Sequence, residues 1–264
     1  MEKRFLFILV SLIIISTILS ATVIQKEFTF NEPTVKNIDG FDRITLEGLS
    51  YNYEPGHPEV PMQPIQMVIP AGEEAVKIEV IYQATEPVEG VYNIYPNQTP
   101  YPISYEGVVS FDEPANEIYT KNEFFPTKLV SEVTTQYLRG HSIALFNLFP
   151  VQYNPVTQEL IYYSSITISV ETQSTTQAAT SFQKFYRDDE STRARVEQLV
   201  SNPEEVSSYP ASNNDREVTY DYVIITSSTY ESNFADFVDF KLGQGYNVFL
   251  KTTNDIYSEY TGTD

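Results

Sequence analysis

Apolar residues alternate with polar ones in short runs over the first two-thirds of the chain, and this period of two predicts strands. Ile24 to Phe30 and Phe41 to Leu46 are the first two, with Asp39-Gly40 as a turn signal between them. The stretch from Pro55 to Pro64 carries four prolines. Prolines that dense exclude a helix and a central strand, so an extended edge segment or loop is expected. Ile65 to Ile69 reads as a short strand stopped by Pro70-Ala71-Gly72. In the next strand Val76, Ile78, Val80 and Tyr82 share one face, with Lys77, Glu79 and Ile81 on the other. Two strands between Val133 and Val151 meet near Arg139-Gly140. Asn154 to Thr157 reads as a turn, and Glu159 to Val170 as a strong strand. Short strands at this spacing argue a mainly β fold of the β-sandwich or barrel type.

The pattern changes after Glu171. Thr172 to Thr180 shows no hydrophobic face and reads as linker. Ser191 to Val200 has helical spacing and is stopped by Asn202-Pro203, and a second loop runs from Ser207 to Arg216. From Glu217 the sequence alternates strand and helix: Val223 to Thr226, Tyr230 to Leu242, Tyr246 to Leu250, then Ile256 to Tyr260. Phe234, Phe237, Val238 and Leu242 are the expected inner face of that first helix. A strand–helix–strand unit this small cannot cover both faces of a parallel sheet. The expectation is therefore one domain followed by the opening of a second.

At the other end, Lys3 and Arg4 precede an apolar run from Phe5 to Leu19, and small residues follow at Ser20 and Ala21. That layout is a secretory signal with a core shorter than the roughly twenty residues of a spanning helix. An uncleaved N-terminal anchor is the alternative. Secretion or cell-surface location is expected, with no stable membrane span after signal removal. The expected organisation is signal peptide 1–21, β domain 22–172, linker with a short helix 173–216, and α/β fragment 217–264.

Composition narrows the chemistry. The chain has no cysteine, which excludes disulfides, a thiolate zinc site and a cysteine nucleophile within these residues. A net charge of -20 makes nucleic acid an unsuitable partner. His57 and His141 are the only imidazoles, one among prolines and one beside a turn, and neither has the convergent partners of a metal or catalytic site. The acidic pairs Glu73-Glu74, Asp112-Glu113 and Glu204-Glu205 and the run Asp188-Asp189-Glu190 read as solvated faces or helix starts. Calcium is a possible ligand of such carboxylates, without a regular calcium loop in the sequence. No other cofactor is expected, and no serine elbow, phosphate loop or dinucleotide fingerprint occurs.

Several motifs carry a resemblance. Gly56-His57-Pro58-Glu59-Val60-Pro61, then Ile69-Pro70-Ala71-Gly72 and a strand, resemble the pro-region of gingipain-type cysteine peptidases. So do Arg139-Gly140 and Pro150-Val151-Gln152-Tyr153-Asn154-Pro155, followed by the strand from Glu159. Tyr222 to Thr226, Phe234 to Gly243, Gly245 to Val248 and Ile256-Tyr257 are similar to the start of that family's catalytic domain. The resemblance implies a secreted zymogen. Its β-sandwich pro-domain would assist folding and block the enzyme until cleavage, and its catalytic domain would be caspase-like with a Cys/His pair. That pair is expected beyond Asp264, so no catalytic residue is assigned and the chain alone is expected to be inactive. The implied partners are its own catalytic domain and an activating protease.

Within that picture, two sets of residues stand out. The stretch Ile118 to Lys128 reads as a long loop in a region poor in basic side chains, so Lys121 or Lys128 could fill a basic-specific pocket as an inhibitory loop. Solubilising loop charges are the plain alternative. Arg187, Arg193, Arg195 and Arg216 lie in or near the expected linker and mark a maturation cleavage region. The rival reading is a secreted adhesion or carbohydrate-binding module, with Tyr92, Tyr95, Tyr101 and Tyr105 as stacking surfaces.

Overall fold

The computed structural model describes residues 22–211, 220–244 and 246–260. The expected signal peptide, Arg216 and Gly245 therefore lie outside the described residues. The chain divides into two compact units. The first holds residues 22–186 and 196–209; the second holds 187–195 and the chain from 210 on.

The first unit is built on two antiparallel sheets. One has β10 (Glu159–Ser174) as its spine, flanked by β6 (Glu73–Val88) on one side. On the other side β9 (Val151–Asn154) and β1 (Thr22–Thr29) follow each other along it. The second sheet has the order β4 (Ser50–Tyr51), β5 (Pro61–Ile69), β8 (His141–Leu148), β7 (Thr134–Leu138). Alternate residues of β10, namely Ile166, Ile168 and Val170, meet Ile65, Met67 and Ile69 of β5 and Ala144, Phe146 and Leu148 of β8 in one core cluster. Burying such side chains at roughly 25 cal/mol per Å² is what drives the two sheets together. A second cluster gathers Ile44, Ile94, Val151, Tyr153, Leu160 and Tyr162.

Both turn signals are realised. Asp39 and Gly40 have φ of 53° and 87°, and Arg139 and Gly140 have 48° and 83°. Two consecutive positive φ values give the tight turn whose twist matches a hairpin. The first joins β2 (Thr34–Ile38) to β3 (Phe41–Thr45), and the second joins β7 to β8.

Three expectations need correction. In β6 the simple alternation fails: Ala75, Ile78 and Val80 pack on the core, while Val76 and Tyr82 are more than half exposed. The register explains this. Thr172 pairs with Ala75 and Glu171 with Lys77, skipping Val76; Ile168 pairs with Val80 and Thr167 with Tyr82, skipping Ile81. Each β-bulge inserts one residue and turns the following side chains over. Second, the strand expected from Ile65 begins at Pro61. Pro61 and Pro64 lie inside β5, each with a partner strand on one side alone (Tyr51 of β4 for Pro61, Asn147 of β8 for Pro64), so this part of the proline-rich stretch is extended edge segment and not loop. Third, the polar stretch after Glu171 is not linker. β10 continues to Ser174, and α2 (Thr176–Phe185) follows, its N-terminus capped by the Thr175 hydroxyl accepting from the Ala178 N–H at 3.1 Å.

The expected helix from Ser191 is α3 (Glu190–Leu199), whose last turn enters the first unit. A 3-10 turn, Pro203–Ser208, completes that unit.

In the second unit, β11 (Tyr222–Thr226) and β12 (Val248–Thr252) pair in parallel. A 3-10 turn, Glu231–Phe234, leads into α4 (Ala235–Gly243), and β12 is followed by α5 (Thr253–Glu259). Thr252 and Asp255 form a reciprocal capping box at the start of α5. Among the described residues from 220 on, only Thr226 and Thr252 are buried. Phe237 and Leu242, expected to pack inward, are exposed; Phe234 and Val238 are half-buried.

Candidate functional site

The motif Gly56 to Val60 roots two surface loops at one end of the first unit. Gly56 has φ +78° and its N–H donates to the Asn97 carbonyl at 2.8 Å, while its carbonyl accepts from the Ala115 N–H at 2.9 Å. Asn97 opens one loop and Ala115 closes it. The His57 ring stands edge-on to Phe125 at 5.6 Å, in the other loop. Below the turn, Glu59 is buried and accepts two bonds from the Arg43 guanidinium, at 2.6 and 3.1 Å. A fork of this geometry holds a buried carboxylate as a pair.

The first loop runs over residues 99–111. Its neck is a reciprocal side-chain clasp. Gln98 accepts from the Asp112 N–H at 2.9 Å and donates to the Asp112 carbonyl at 3.1 Å, and Asp112 accepts from the Thr99 N–H at 2.6 Å. Beyond the neck, Ile103, Val108 and Val109 are 108%, 89% and 65% exposed, which makes this the most apolar exposed tip of the unit. Sequence reading missed it. Its signal was Ile103, Val108 and Val109 set among Ser104, Glu106, Gly107 and Ser110 without the alternation of a strand, between Pro102 and Pro114.

The second loop holds Lys121 and Lys128. α1 (Asn116–Tyr119) precedes it, and the Tyr119 hydroxyl donates to the Ile94 carbonyl at 2.7 Å. Burial, first of all, raises the Tyr119 pKa well above its usual value. The loop is pinned rather than loose. Phe125 and Tyr153 exchange backbone hydrogen bonds at 2.8 Å, and Gln152 donates to the Pro126 carbonyl at 2.6 Å. Lys121 is exposed and pairs with Glu123 at 3.5 Å. Lys128 is also exposed, on the wall of a groove of about 560 Å³ shared with Val76, Pro126, Val130 and Phe149.

The other singled-out residues are placed elsewhere. His57 lies 3.2 Å from Glu54, and His141 is buried against Tyr186 and Tyr209. Arg193 and Arg195 lie within α3, and Arg193 pairs with Asp188. Arg187 precedes α3. Among the described residues no group of three or more His, Cys, Asp or Glu side chains converges as a metal site would require. The tyrosines of the carbohydrate reading each have a partner within the unit, although Tyr105 is exposed. Tyr92 donates to the Glu89 carbonyl, Tyr95 packs between Phe41 and Phe111, and Tyr101 stacks on Tyr105 at 4.6 Å. No helix among the described residues is long and apolar enough to cross a membrane.

Gly56→Ala tests the shared root. A methyl there would meet the Glu113 carbonyl at 3.1 Å with φ held positive. The expected loss is about 1–2 kcal/mol in urea unfolding, with faster proteolysis in both loops.

The chain is similar to Gingipain R1 of Porphyromonas gingivalis, at 29% identity over 144 residues. It is likewise similar to Gingipain R2 of that organism, at 29% over 168 residues. The matches cover 54% and 59% of this chain but only 14% and 22% of those relatives' own length. The fold resembles the solved complex of Porphyromonas gingivalis RgpB pro- and mature domains, with a TM-score of 0.55 at 17% identity over 70% of this chain and 94% of that one. The family model described as Propeptide_C25 matches residues 16–188, well over half of the sequence, and the chain therefore belongs to this family of gingipain-type propeptides.

Proposed function

We infer that this chain is the N-terminal part of a secreted cysteine endopeptidase zymogen, and that its β-sandwich-like pro-unit assists folding of the catalytic domain and holds it inactive. Membership of the Propeptide_C25 family is the observation that carries this reading. In the proposed organisation, the second unit is the opening of a caspase-like α/β domain. Its parallel pair has no buried apolar residue among those described from 220 on, so it gains little from a core of its own. The partners are then the catalytic domain and the protease that activates it. Secretion follows from the lysine–arginine and apolar pattern of residues 1–21.

The docking surface fits the end rooted on Gly56. Loop 99–111 brings exposed apolar side chains, which bury surface on contact. Loop 120–128 brings Lys121 and Lys128, either of which could reach a pocket that selects basic residues. Pinning matters here, because a loop held by backbone bonds is a poor substrate although it enters the cleft.

The test is inhibition of the mature peptidase of this precursor by the chain. Lys121→Ala or Lys128→Ala is expected to weaken inhibition at least tenfold. Ile103→Ser with Val108→Ser is expected to weaken it by a similar factor through slower association and faster release. A wild-type chain that does not inhibit would remove the inhibitory reading. Unchanged inhibition in every variant would move the docking surface elsewhere.

Maturation cleavage is proposed in the region of Arg187, Arg193, Arg195 and Arg216. Arg193 and Arg195 are helical, and a peptidase cleft takes extended chain, so either site requires local opening of α3.

A further inference from the structure

The outer edge of β5 is the open side of the second sheet. β4 covers only Pro61 and Met62. The register then fixes what faces outward. Asn147, the partner of Pro64 on β8, donates its N–H to the Ser131 hydroxyl and accepts from the Ser131 N–H, both at 2.9 Å. Its backbone is turned away from β5, so the Pro64 backbone is turned away from β8. By the period of two, Pro64, Gln66 and Val68 all present backbone groups to this edge. Pro64 has no N–H to satisfy there.

Residues 196–209 meet that edge. The Ser201 N–H donates to the Gln66 carbonyl at 2.8 Å. The Asn202 side chain closes on Val68 from both sides: its Oδ1 accepts from the Val68 N–H and its Nδ2 donates to the Val68 carbonyl, each at 2.9 Å. A carboxamide carries the same donor and acceptor as a peptide unit. Asn202, only 1% exposed, thus stands where a neighbouring strand residue would. Val196, Val200 and Val206 pack with Val68 and Ile143 in a third core cluster. At the end of the β5–β8 ladder, where Ile69 faces Ser142, the Tyr209 hydroxyl donates to the Ile69 carbonyl at 2.7 Å and accepts from the Ser142 N–H at 2.9 Å.

We propose that Val196–Tyr209 is an edge strap that completes the pro-unit, so that the physical boundary of the unit lies beyond Tyr209 and a cut between Tyr186 and Val196 dismantles it instead of releasing it whole. The family match ends at residue 188, so the strap extends the unit past the matched region. A cut before Val196 leaves the strap on the downstream chain and converts an intramolecular contact into one between two molecules. The bared β5 edge, with Gln66 and Val68 unpaired, becomes a template for another strand. The proposal rests on the fold and stands whether or not the pro-unit inhibits.

Two measurements on the full chain test it. Brief digestion with a broad-specificity protease, read by intact mass, is expected to leave a resistant core that ends beyond Tyr209. A resistant core ending before Tyr209 would overturn the proposal. Amide exchange followed by NMR is the second. The Val68 amide is expected to exchange at least tenfold faster in Asn202→Ala than in the wild type, with the Ile168 amide of β10 unchanged. Equal Val68 rates in the two proteins would overturn the proposal even if the variant is slightly destabilised.

Discussion

Gly140→Val is expected to lower stability by about 3–5 kcal/mol, which for a unit of this size shifts the melting temperature by about 10 °C. Two effects add. Gly140 has φ +83°, where a β-branched residue is strained. A side chain there would also run into the Tyr186 backbone and come within 2.7 Å of the Tyr186 Cβ. Tyr186 belongs to the third cluster, stacked on Phe182 and packed against His141 and Tyr209. The damage should spread from the β7–β8 turn into the strap. Gly40→Val separates the two effects, because its φ is +87° but nothing lies within 4 Å. It should cost only the backbone strain, about 1–2 kcal/mol. Equal losses for the two variants in urea unfolding would refute the crowding argument.

The second large effect is alkaline. Burial pushes the Tyr209 hydroxyl up to about 12, partly offset by the hydrogen bond from the Ser142 N–H. In the unfolded chain the same group titrates near 10. Below about pH 10 both states are protonated and the contribution is fully present. Between about 10 and 12 only the unfolded state loses its proton, so stability falls as pH rises, by about 3 kcal/mol at the upper end. Tyr119 and Tyr137 are raised in the same direction and add to the fall. Tyr209→Phe should be less stable at neutral pH, by about 1–3 kcal/mol, because Ile69 and Ser142 lose their bridge. It should also show a shallower decline above pH 10. Urea midpoints measured from pH 8 to pH 11.5 check this, and parallel curves for wild type and variant would sink it.

Both predictions concern residues whose importance is invisible in the chain order. Gly140 reads as a turn glycine, which it is, but nothing in its neighbours announces Tyr186, which arrives 46 positions later. Tyr209 reads as one tyrosine in a polar stretch. Asn202 reads as a helix stop. Its burial and its two bonds to Val68 come from a segment 134 positions away.

What the order of residues determined by itself is the local grammar. Asp39-Gly40 and Arg139-Gly140 dictate hairpin turns because only a few residues accept two positive φ values in a row. Glu159 to Val170 dictates a strand, and the alternation from Tyr222 dictates a parallel strand pair. The Gly56 to Pro61 and Pro150 to Pro155 motifs carried the family. The tertiary structure decided the rest. The bulges at Val76 and Ile81 depend on the partner strand's register, which period-two reading cannot sense. α2 has a polar sequence with buried Ala178 and Ser181, so its inner face becomes legible only once a sheet lies beneath it. The exposure of Ile103, Val108 and Val109, and the closure of β5 by Asn202, follow from which distant segments come together. Backbone torsions and hydrophobic period are properties of neighbours in sequence; edge protection, burial and pKa are properties of neighbours in space.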